Sequence, residues 1–377
     1  MEEISFLSIH SNEVITYSLD GKRVDREQAL KILEQSYNNL PGNNEEYYSI
    51  RDSSSGKIIG IYPIKNKGLL IYISFDQYSP IALQRYLHSQ ATMLIAFGTA
   101  HFLRPIHMAG MHLFNLFAAP RVYPHVYDKS LEKLFQELVS VISPICALYA
   151  KNNIIIASDQ FWKMSRQDIH AIDLLVRSCE APFTDQALFR EGTGNVERVC
   201  IFHIFKSMKF VSLNNGPFDM LQAASQQIPT ILYKQFDLLK TIEPTPPIVN
   251  KQEGIVAWAI FDLATHRYFG DCPDELEHQF IEMVCKCHDI AEHNRVTDIS
   301  MRLKDHLFFF MPQVLVRDTK YFSQSHFWTF YAMHDFHKTV EEIRKFAEHT
   351  MINLVRFVKP INPPDQYLQQ VMNRINT

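Results

Sequence analysis

The chain has 377 residues, enough for two or three domains, and its apolar fraction of 46% is that of a protein with an ordinary packed interior. A formal net charge of −4 argues against a protein that binds nucleic acid through a bulk positive field. No apolar run approaches the roughly 20 residues that a membrane span needs. Six cysteines without a secretory leader predict reduced thiols and a cytoplasmic protein.

One pattern of strands and helices occurs three times, beginning near Ile4, Pro144 and Gly254. Two short apolar strands joined by a tight turn precede a helix, three further strands and a long amphipathic helix. This order differs from the alternation of a βαβ fold and predicts a small antiparallel sheet flanked by helices. The sequence therefore predicts an α+β protein with three tandem five-stranded modules. They span residues 1–120, 121–242 and 250–358, and a tail follows at 359–377.

The first module begins with a predicted hairpin, at Ile4–Ile9 and Val14–Tyr17, and a helix over about 25–37. Three more strands are predicted at 47–50, 57–64 and 69–75. Pro63 predicts a bulge or a strand end, because proline cannot donate a hydrogen bond within a central strand. Ser79-Pro80 marks the start of the next helix, and a further apolar helical segment spans about 102–117.

The second module follows a linking helix over 129–142. Its strands are predicted at 145–150, 154–157, 186–189, 197–205 and 209–213. Ser165 predicts the start of a helix, with Asp168 in the reciprocal position of a capping box. The apolar stripe of this helix is Ile169, Ile172, Leu175 and Val176.

The third module follows the proline-rich linker 243–247. Strands are predicted at 255–261, near 269, at 307–316 and at 326–333. A helix is predicted from Pro273, and apolar residues at helical spacing from Phe336 to Leu354 predict the last one. Local patterns therefore identify only four strands in this module.

No motif for phosphate binding or catalysis is found. Ser55-Gly56-Lys57 resembles the end of a phosphate loop, but Ile58 stands where serine or threonine is needed and Arg51 where the first glycine is needed. It is interpreted as a hairpin turn. The sequence thus predicts no catalytic residue, no cofactor and no enzymatic bond-making chemistry.

A histidine-rich segment in the third module lacks the spacing of known zinc sites. His288, Glu292 and His293 lie one helical turn apart, but their spacing matches no zinc motif. They are interpreted as surface histidines beside the buried thiols of Cys285 and Cys287. The sequence therefore predicts no metal site.

Antiparallel sheets that do not close leave edge strands, whose unpaired amides invite a strand from a partner. Tyr47 and Tyr48 are expected at such an edge, and large amphipathic rings of this kind are enriched at interfaces. The two tyrosines are therefore candidate partner-binding residues. The alternative, that they cover the local core, has equal weight.

The threefold order of elements resembles the tri-longin family, which includes Fuzzy, Inturned, the Mon and Ccz subunits and the Hermansky–Pudlak pair. The segment Ile154–Met164, with Phe161-Trp162 at its centre, is most similar to the corresponding segment of Fuzzy, a planar cell polarity effector. Phe161 and Trp162 are therefore identified as a family-like structural motif. In any fold, two aromatics after a strand also predict a core anchor.

The resemblance implies three tandem longin-like domains and a heterodimer with an Inturned-like longin protein, joined by a Fritz-like WD-repeat protein. Such a complex binds a small Rab-like GTPase at the basal body or cilium base, in ciliogenesis and planar cell polarity. Guanine-nucleotide exchange by the complex would require no acid, base or nucleophile, because it needs only a surface that stabilises the nucleotide-free GTPase. No exchange residue of the family can be assigned to this sequence.

Two alternatives stay open. The chain resembles a Mon-like subunit in some features, which implies an endosomal Rab exchange factor in vesicle trafficking, formed with a Ccz subunit. The other alternative is a trafficking adaptor without exchange activity, whose longin units serve only as docking surfaces. In each case the resemblance implies that membranes are reached peripherally, through the complex.

Overall fold

The structure, a computed structural model, divides into two compact units, Met1–Ala118 and Ala119–Thr377. It describes residues 3–7, 14–18, 48–51, 58–64, 68–74, 80–97, 113–122, 129–190, 195–205, 208–214, 226–228, 230–231, 254–263, 265–293, 298–317, 325–335 and 337–355. The predicted helix over 25–37, the linker 243–247 and the tail 359–377 lie outside these residues.

The first unit contains one five-stranded antiparallel sheet. Its strands are β1 (Glu3–Leu7), β2 (Val14–Ser18), β3 (Tyr48–Arg51), β4 (Ile58–Ile64) and β5 (Gly68–Ser74), in the order β2-β1-β5-β4-β3. Two helices follow, α1 (Pro80–Phe97) and α2 (Leu113–Phe117), and α1 packs on β4 and β5. Pro63 pairs with Leu69 one residue before β4 ends, without a register shift, so it marks a strand end and not a bulge.

The second unit begins with a helix and a sheet of the same strand order. The elements are α3 (Lys129–Val141), β6 (Ile145–Ala150), β7 (Asn153–Ala157), α4 (Asp159–Trp162), α5 (Arg166–Ser178), β8 (Phe183–Phe189), β9 (Val196–Phe205) and β10 (Met208–Asn214). The strands lie in the order β7-β6-β10-β9-β8. Leu134, Phe135 and Leu138 of α3 pack against Leu148 of β6 and Phe210 of β10 in the core of this module.

Serine side chains cap the two helices that lie between β7 and β8. The Ser165 hydroxyl accepts a hydrogen bond from the amide of Asp168 at 3.0 Å, so the predicted start of α5 is confirmed. Ser158 accepts from the amide of Phe161 at 3.2 Å and from that of Cys146 at 3.1 Å, which ties α4 to β6. The predicted stripe of α5, Ile169, Ile172, Leu175 and Val176, is buried.

The third sheet follows in the same unit. Its elements are β11 (Ile255–Asp262), β12 (Arg267–Asp271), α6 (Asp274–His293), β13 (Ile299–Arg302), β14 (His306–Arg317), β15 (Ser325–Asp335) and α7 (Val340–Val355), and the strand order is β12-β11-β15-β14-β13. The sequence interpretation missed β13. This strand has only four residues and two of them are exposed, so it lacks an apolar run.

The predicted α+β class, with five-stranded antiparallel sheets flanked by helices, is confirmed. Each sheet pairs the first strand of its module with the fifth strand, and places the second strand at one edge and the third strand at the other. None of the helices in the described ranges combines the length and the apolar composition that crossing a membrane requires.

Candidate partner-binding surface

A short segment, Pro120–Val122, runs between the second and third sheets and bonds to both; it is called the strap here. The amide of Val122 donates to the carbonyl of Tyr268 in β12 at 2.8 Å, and the amide of Tyr268 donates to the carbonyl of Pro120 at 3.1 Å. On its other side, the amide of Ile154 in β7 donates to the carbonyl of Arg121 at 2.9 Å. The strap therefore covers the edges at β7 and β12 and leaves β8 and β13 at the outer ends of the two sheets.

Phe161 and Trp162, the two aromatics of the family-like motif, lie where the second and third modules meet. Both are buried, and their rings pack edge to face with centroids 5.5 Å apart. The guanidinium of Arg267, in β12 of the third module, lies 5.6 Å from the centroid of the Trp162 ring. Nearby, Arg166 of α5 donates to the carbonyl of Leu263 at 3.2 Å. The motif thus anchors its own module and also contacts the next one.

Buried ion pairs also lie at this junction. Arg267 pairs with Asp262 at 3.4 Å, and both side chains are almost fully buried. Asp173 and Arg177 pair at 2.8 Å within α5. Burial raises the pKa of Asp173, and Arg177 opposes that rise. Burial likewise raises the pKa of Tyr268 in the third module, where Arg177 again acts in the opposite direction. These charges are paired with one another and lie between packed modules, which indicates a structural role.

The outer edge of β8 carries backbone groups that point away from β9. The amide of His203 donates to the carbonyl of Pro182 at 3.0 Å, and the amide of Arg190 donates to the carbonyl of Asn195 at 3.1 Å. Bonding direction alternates along an antiparallel strand, so the even-numbered residues of β8 bond to β9. The N–H and C=O groups that point away from β9 are those of Phe183, Asp185, Ala187 and Phe189. Among the described residues, β8 pairs with no other strand.

Exposed apolar side chains are concentrated at the same edge. Phe183, Phe189 and Val196 are 46%, 49% and 53% exposed, and they account for three of the seven large apolar residues exposed in the described chain. Phe189 lies opposite Val196 in the register of β8 and β9, and Phe183 lies opposite Phe202 with ring centroids 4.9 Å apart. These opposed residues share one face of the sheet. The name β8 edge is used for Phe183, Ala187 and Phe189 of β8 together with Val196 of β9.

Between the two apolar ends of the β8 edge lies a single ion pair. Arg198 of β9 donates to the two carboxylate oxygens of Asp185 in β8 through two of its guanidinium nitrogens, Nε and Nη2. Cys200 lies opposite Asp185, and burial raises the pKa of its thiol to about 11. A thiol held protonated at neutral pH is not activated as a nucleophile. The chemistry of the β8 edge is therefore that of a binding surface: backbone donors and acceptors, aromatic rings and one neutralised charge.

The predicted edge tyrosines belong to the first unit. Tyr48 is the first residue of β3, which is an edge strand of the first sheet. Tyr48 pairs with Ile61 of β4. Tyr47, and the side chain of Tyr48, lie outside the described part of the chain. Their role as partner-binding residues stays a prediction.

The histidine-rich segment of α6 differs from its predicted surface role. His288 is half-buried, its Nε2 lies 2.7 Å from the hydroxyl of Tyr331, and its ring lies 5.9 Å from that of Phe310. The interpretation of His288 as a surface histidine was wrong, because its position on α6 faces the aromatic strands β14 and β15. Burial raises the pKa of Cys287 to about 12. No group of three histidine, cysteine, aspartate or glutamate residues suited to a metal ion occurs in the part of the chain that the structure describes.

Sequence reasoning did not single out the β8 edge, because it began β8 at Gln186 instead of Phe183. The available signal was the combination of a proline before the strand, aromatics at both of its ends and the absence of lysine. Ser55–Lys57, interpreted as a turn, lies outside the described residues. Compared with models of known protein families and with curated proteins, the sequence matches neither.

Proposed function

We propose that this chain is a tri-longin subunit of a heterodimeric complex that binds and regulates a small Rab-like GTPase. The observation that supports this most is the repetition: three sheets with one strand order, each beginning with a hairpin and ending with its third strand at an edge. Such a protein acts through surfaces, and the surfaces available are sheet edges and helix faces. A Fuzzy-like role, in ciliogenesis and planar cell polarity at the basal body, is the form proposed.

In this proposal the partner subunit is an Inturned-like longin protein, and a Fritz-like WD-repeat protein joins the pair. The edge strand β3, with Tyr48 at its start, is the proposed contact for the longin partner. The GTPase binds the assembled complex, which stabilises its nucleotide-free form without a reactive group. Membranes are reached peripherally through the complex.

The test is affinity purification of the tagged full-length chain from ciliated cells, followed by mass spectrometry. Recovery of an Inturned-like protein, a Fritz-like protein and a Rab-like GTPase is the expected result. Recovery of a Ccz subunit would favour the Mon-like alternative at the endosome. Recovery of no longin protein and no GTPase would overturn both forms of the proposal.

A second experiment separates exchange from docking. The purified complex is mixed with the recovered GTPase loaded with a fluorescent guanine nucleotide, and release of the nucleotide is followed with time. Faster release supports exchange, whereas tight binding to nucleotide-free GTPase with unchanged release supports an adaptor. Tyr48→Ser should reduce recovery of the longin partner, and Ala187→Pro, at the edge of a different sheet, serves as its matched control.

A further inference from the structure

The β8 edge is complementary to itself. Antiparallel pairing of two copies around Gln186 places Phe183 of each copy opposite Phe189 of the other, and Asp185 opposite Ala187. These are the residues whose N–H and C=O groups point away from β9, so each opposed pair can exchange two backbone hydrogen bonds. Gln186 would face its own counterpart on the two-fold axis. No shift of the strand is needed to satisfy the outward groups of both copies.

The same register buries the exposed apolar side chains of the edge. Each aromatic pair formed between the copies lies beside Phe202 of one copy and Val196 of the other, because Phe183 opposes Phe202 and Phe189 opposes Val196 within each copy. A row of four apolar side chains then crosses the junction at each end of the strand. Aromatic cross-strand pairs of this kind stabilise antiparallel sheets.

Charge does not oppose the approach of a second copy. Asp185 is the one charged residue of β8, and Arg198 of the same copy already neutralises it. The outer edge of the third sheet is different: β13 is short, and its last residue is the exposed Arg302. Short strands and charged side chains are the usual protection of a sheet edge against pairing. β8 is a longer strand, and its one charge is neutralised by Arg198.

We infer that the β8 edge binds a second copy of this chain, so that two second sheets join into one continuous antiparallel sheet. The occupant is a second copy because one strand supplies both halves of the match: its aromatic ends, its small central residue and its outward backbone groups. The inference is independent of the proposed function, since no GTPase or heterologous subunit enters it. Loss of self-association need not change the partners that the chain recovers.

The first test measures the mass of the purified full-length chain over a range of concentrations by analytical ultracentrifugation. We expect a rise from 43.9 kDa to twice that mass as concentration increases. Ala187→Pro removes an outward donor in each copy without removing a bond to β9, and should lower the association constant by about tenfold or more. Ala187→Val, which keeps the donor, should still associate.

A charged variant provides a matched comparison. Phe189→Lys should abolish dimers, whereas Ile352→Lys in α7, at a side chain of nearly equal exposure (52%), should not. Thermal melts of each variant show whether it folds. A wild-type chain that stays at 43.9 kDa at every concentration would overturn the inference. So would a dimer that Ala187→Pro leaves equally populated.

The second test reports the register and does not depend on a destabilising change. Residues that face each other at a non-hydrogen-bonded antiparallel position lie close enough for a disulfide. Gln186→Cys should therefore cross-link two copies under mild oxidation, as seen on a non-reducing gel. Val196→Cys, exposed but one strand further from the axis, should not. Equal cross-linking at both positions, or at neither in a chain that dimerises, would show that the dimer forms elsewhere.

Discussion

The guanidinium of Arg267 lies over the ring of Trp162 at 5.6 Å, and this contact joins the second and third modules. The same guanidinium lies 5.3 Å from the ring centroid of Phe269 in its own strand and pairs with Asp262. A buried cation between two aromatic faces is stabilised by both rings, and the carboxylate balances its charge. The two modules therefore share a part of their interior.

Truncation of Trp162 tests this shared interior. The side chain is 6% exposed and packs on Phe161 and Arg267. We expect Trp162→Ala to lower the free energy of unfolding by about 3–5 kcal/mol, measured by urea denaturation. Trp162→Phe, which keeps an aromatic face under the guanidinium, should lose less. An unchanged melting temperature combined with lost partner binding would show instead that Trp162 serves an interface between proteins.

The ion pair of Asp262 and Arg267 gives a double-mutant cycle. Each side chain is at most 2% exposed, so removal of one leaves the other charge buried without its partner. We expect Asp262→Ala alone to lower the free energy of unfolding by about 3–5 kcal/mol. The double variant Asp262→Ala with Arg267→Met should recover much of that loss, because no buried charge remains. Simple addition of the two single losses would contradict the pairing.

Local patterns predicted the elements that their own residues determine. The strand at 145–150 and the start of α5 at Ser165 were predicted correctly, because an apolar run and a capping serine are both visible within a few residues. The strap was not predicted. Its bonds join Val122 to Tyr268 across almost 150 positions, and no local pattern reports a pairing of that separation.

The burial of charged and polar residues was the second feature that the sequence did not predict. Arg267 and His288 were expected at the surface or not considered, because such side chains are buried only where partners meet them. The partners are Asp262 and Trp162 for Arg267, and Tyr331 for His288. In the β8 edge the difficulty is reversed. Phe183 and Phe189 are apolar, yet each is about half exposed because they lie on the edge strand of the sheet.

His334 predicts a dependence of stability on pH. Burial lowers its pKa to about 4, from about 6.5 in an exposed histidine. Between these values the unfolded chain binds a proton that the folded chain does not, so the free energy of unfolding decreases as the pH falls from about 6.5 toward 4. Above pH 6.5 the His334 ring is neutral in both the folded and the unfolded chain, so the full stability is retained. The expected loss from this group approaches roughly 3 kcal/mol at the acid end.

Replacement of His334 isolates this contribution. Its ring packs edge to face on Phe346 at 6.0 Å, and neither ring nitrogen has a hydrogen-bond partner among the described residues. We therefore expect His334→Phe to fold and to lose much less stability between pH 7 and pH 4.5, measured by urea denaturation at both values. His278→Phe, at an exposed position of α6, should keep the dependence of the wild type. Equal dependence in both variants would assign the effect to other groups.

Gly270 tests how closely β12 must approach β11. A Cβ atom at this position would lie 2.6 Å from the carbonyl oxygen of Trp258 and 3.1 Å from the Cα of Ala259, which are backbone atoms of the neighbouring strand. A backbone cannot move aside as the end of a flexible side chain can, so Gly270→Ala must push the strands apart. We expect the free energy of unfolding to fall by about 1–3 kcal/mol.

The position of Gly270 beside the strap also predicts a local change in hydrogen exchange. Its carbonyl accepts a hydrogen bond from Arg121 of the strap, and the strap bonds to Tyr268 two residues earlier. Displacement of β12 should therefore speed hydrogen exchange at the amides of Val122 and Tyr268, while the amide of Phe210, in the core of the second module, changes less. Asp271→Ala, the next residue along, removes only a partly exposed ion pair with Arg121 and should cost less than about 1 kcal/mol. If Gly270→Ala left the exchange at Val122 unchanged, the strap would not depend on the position of β12.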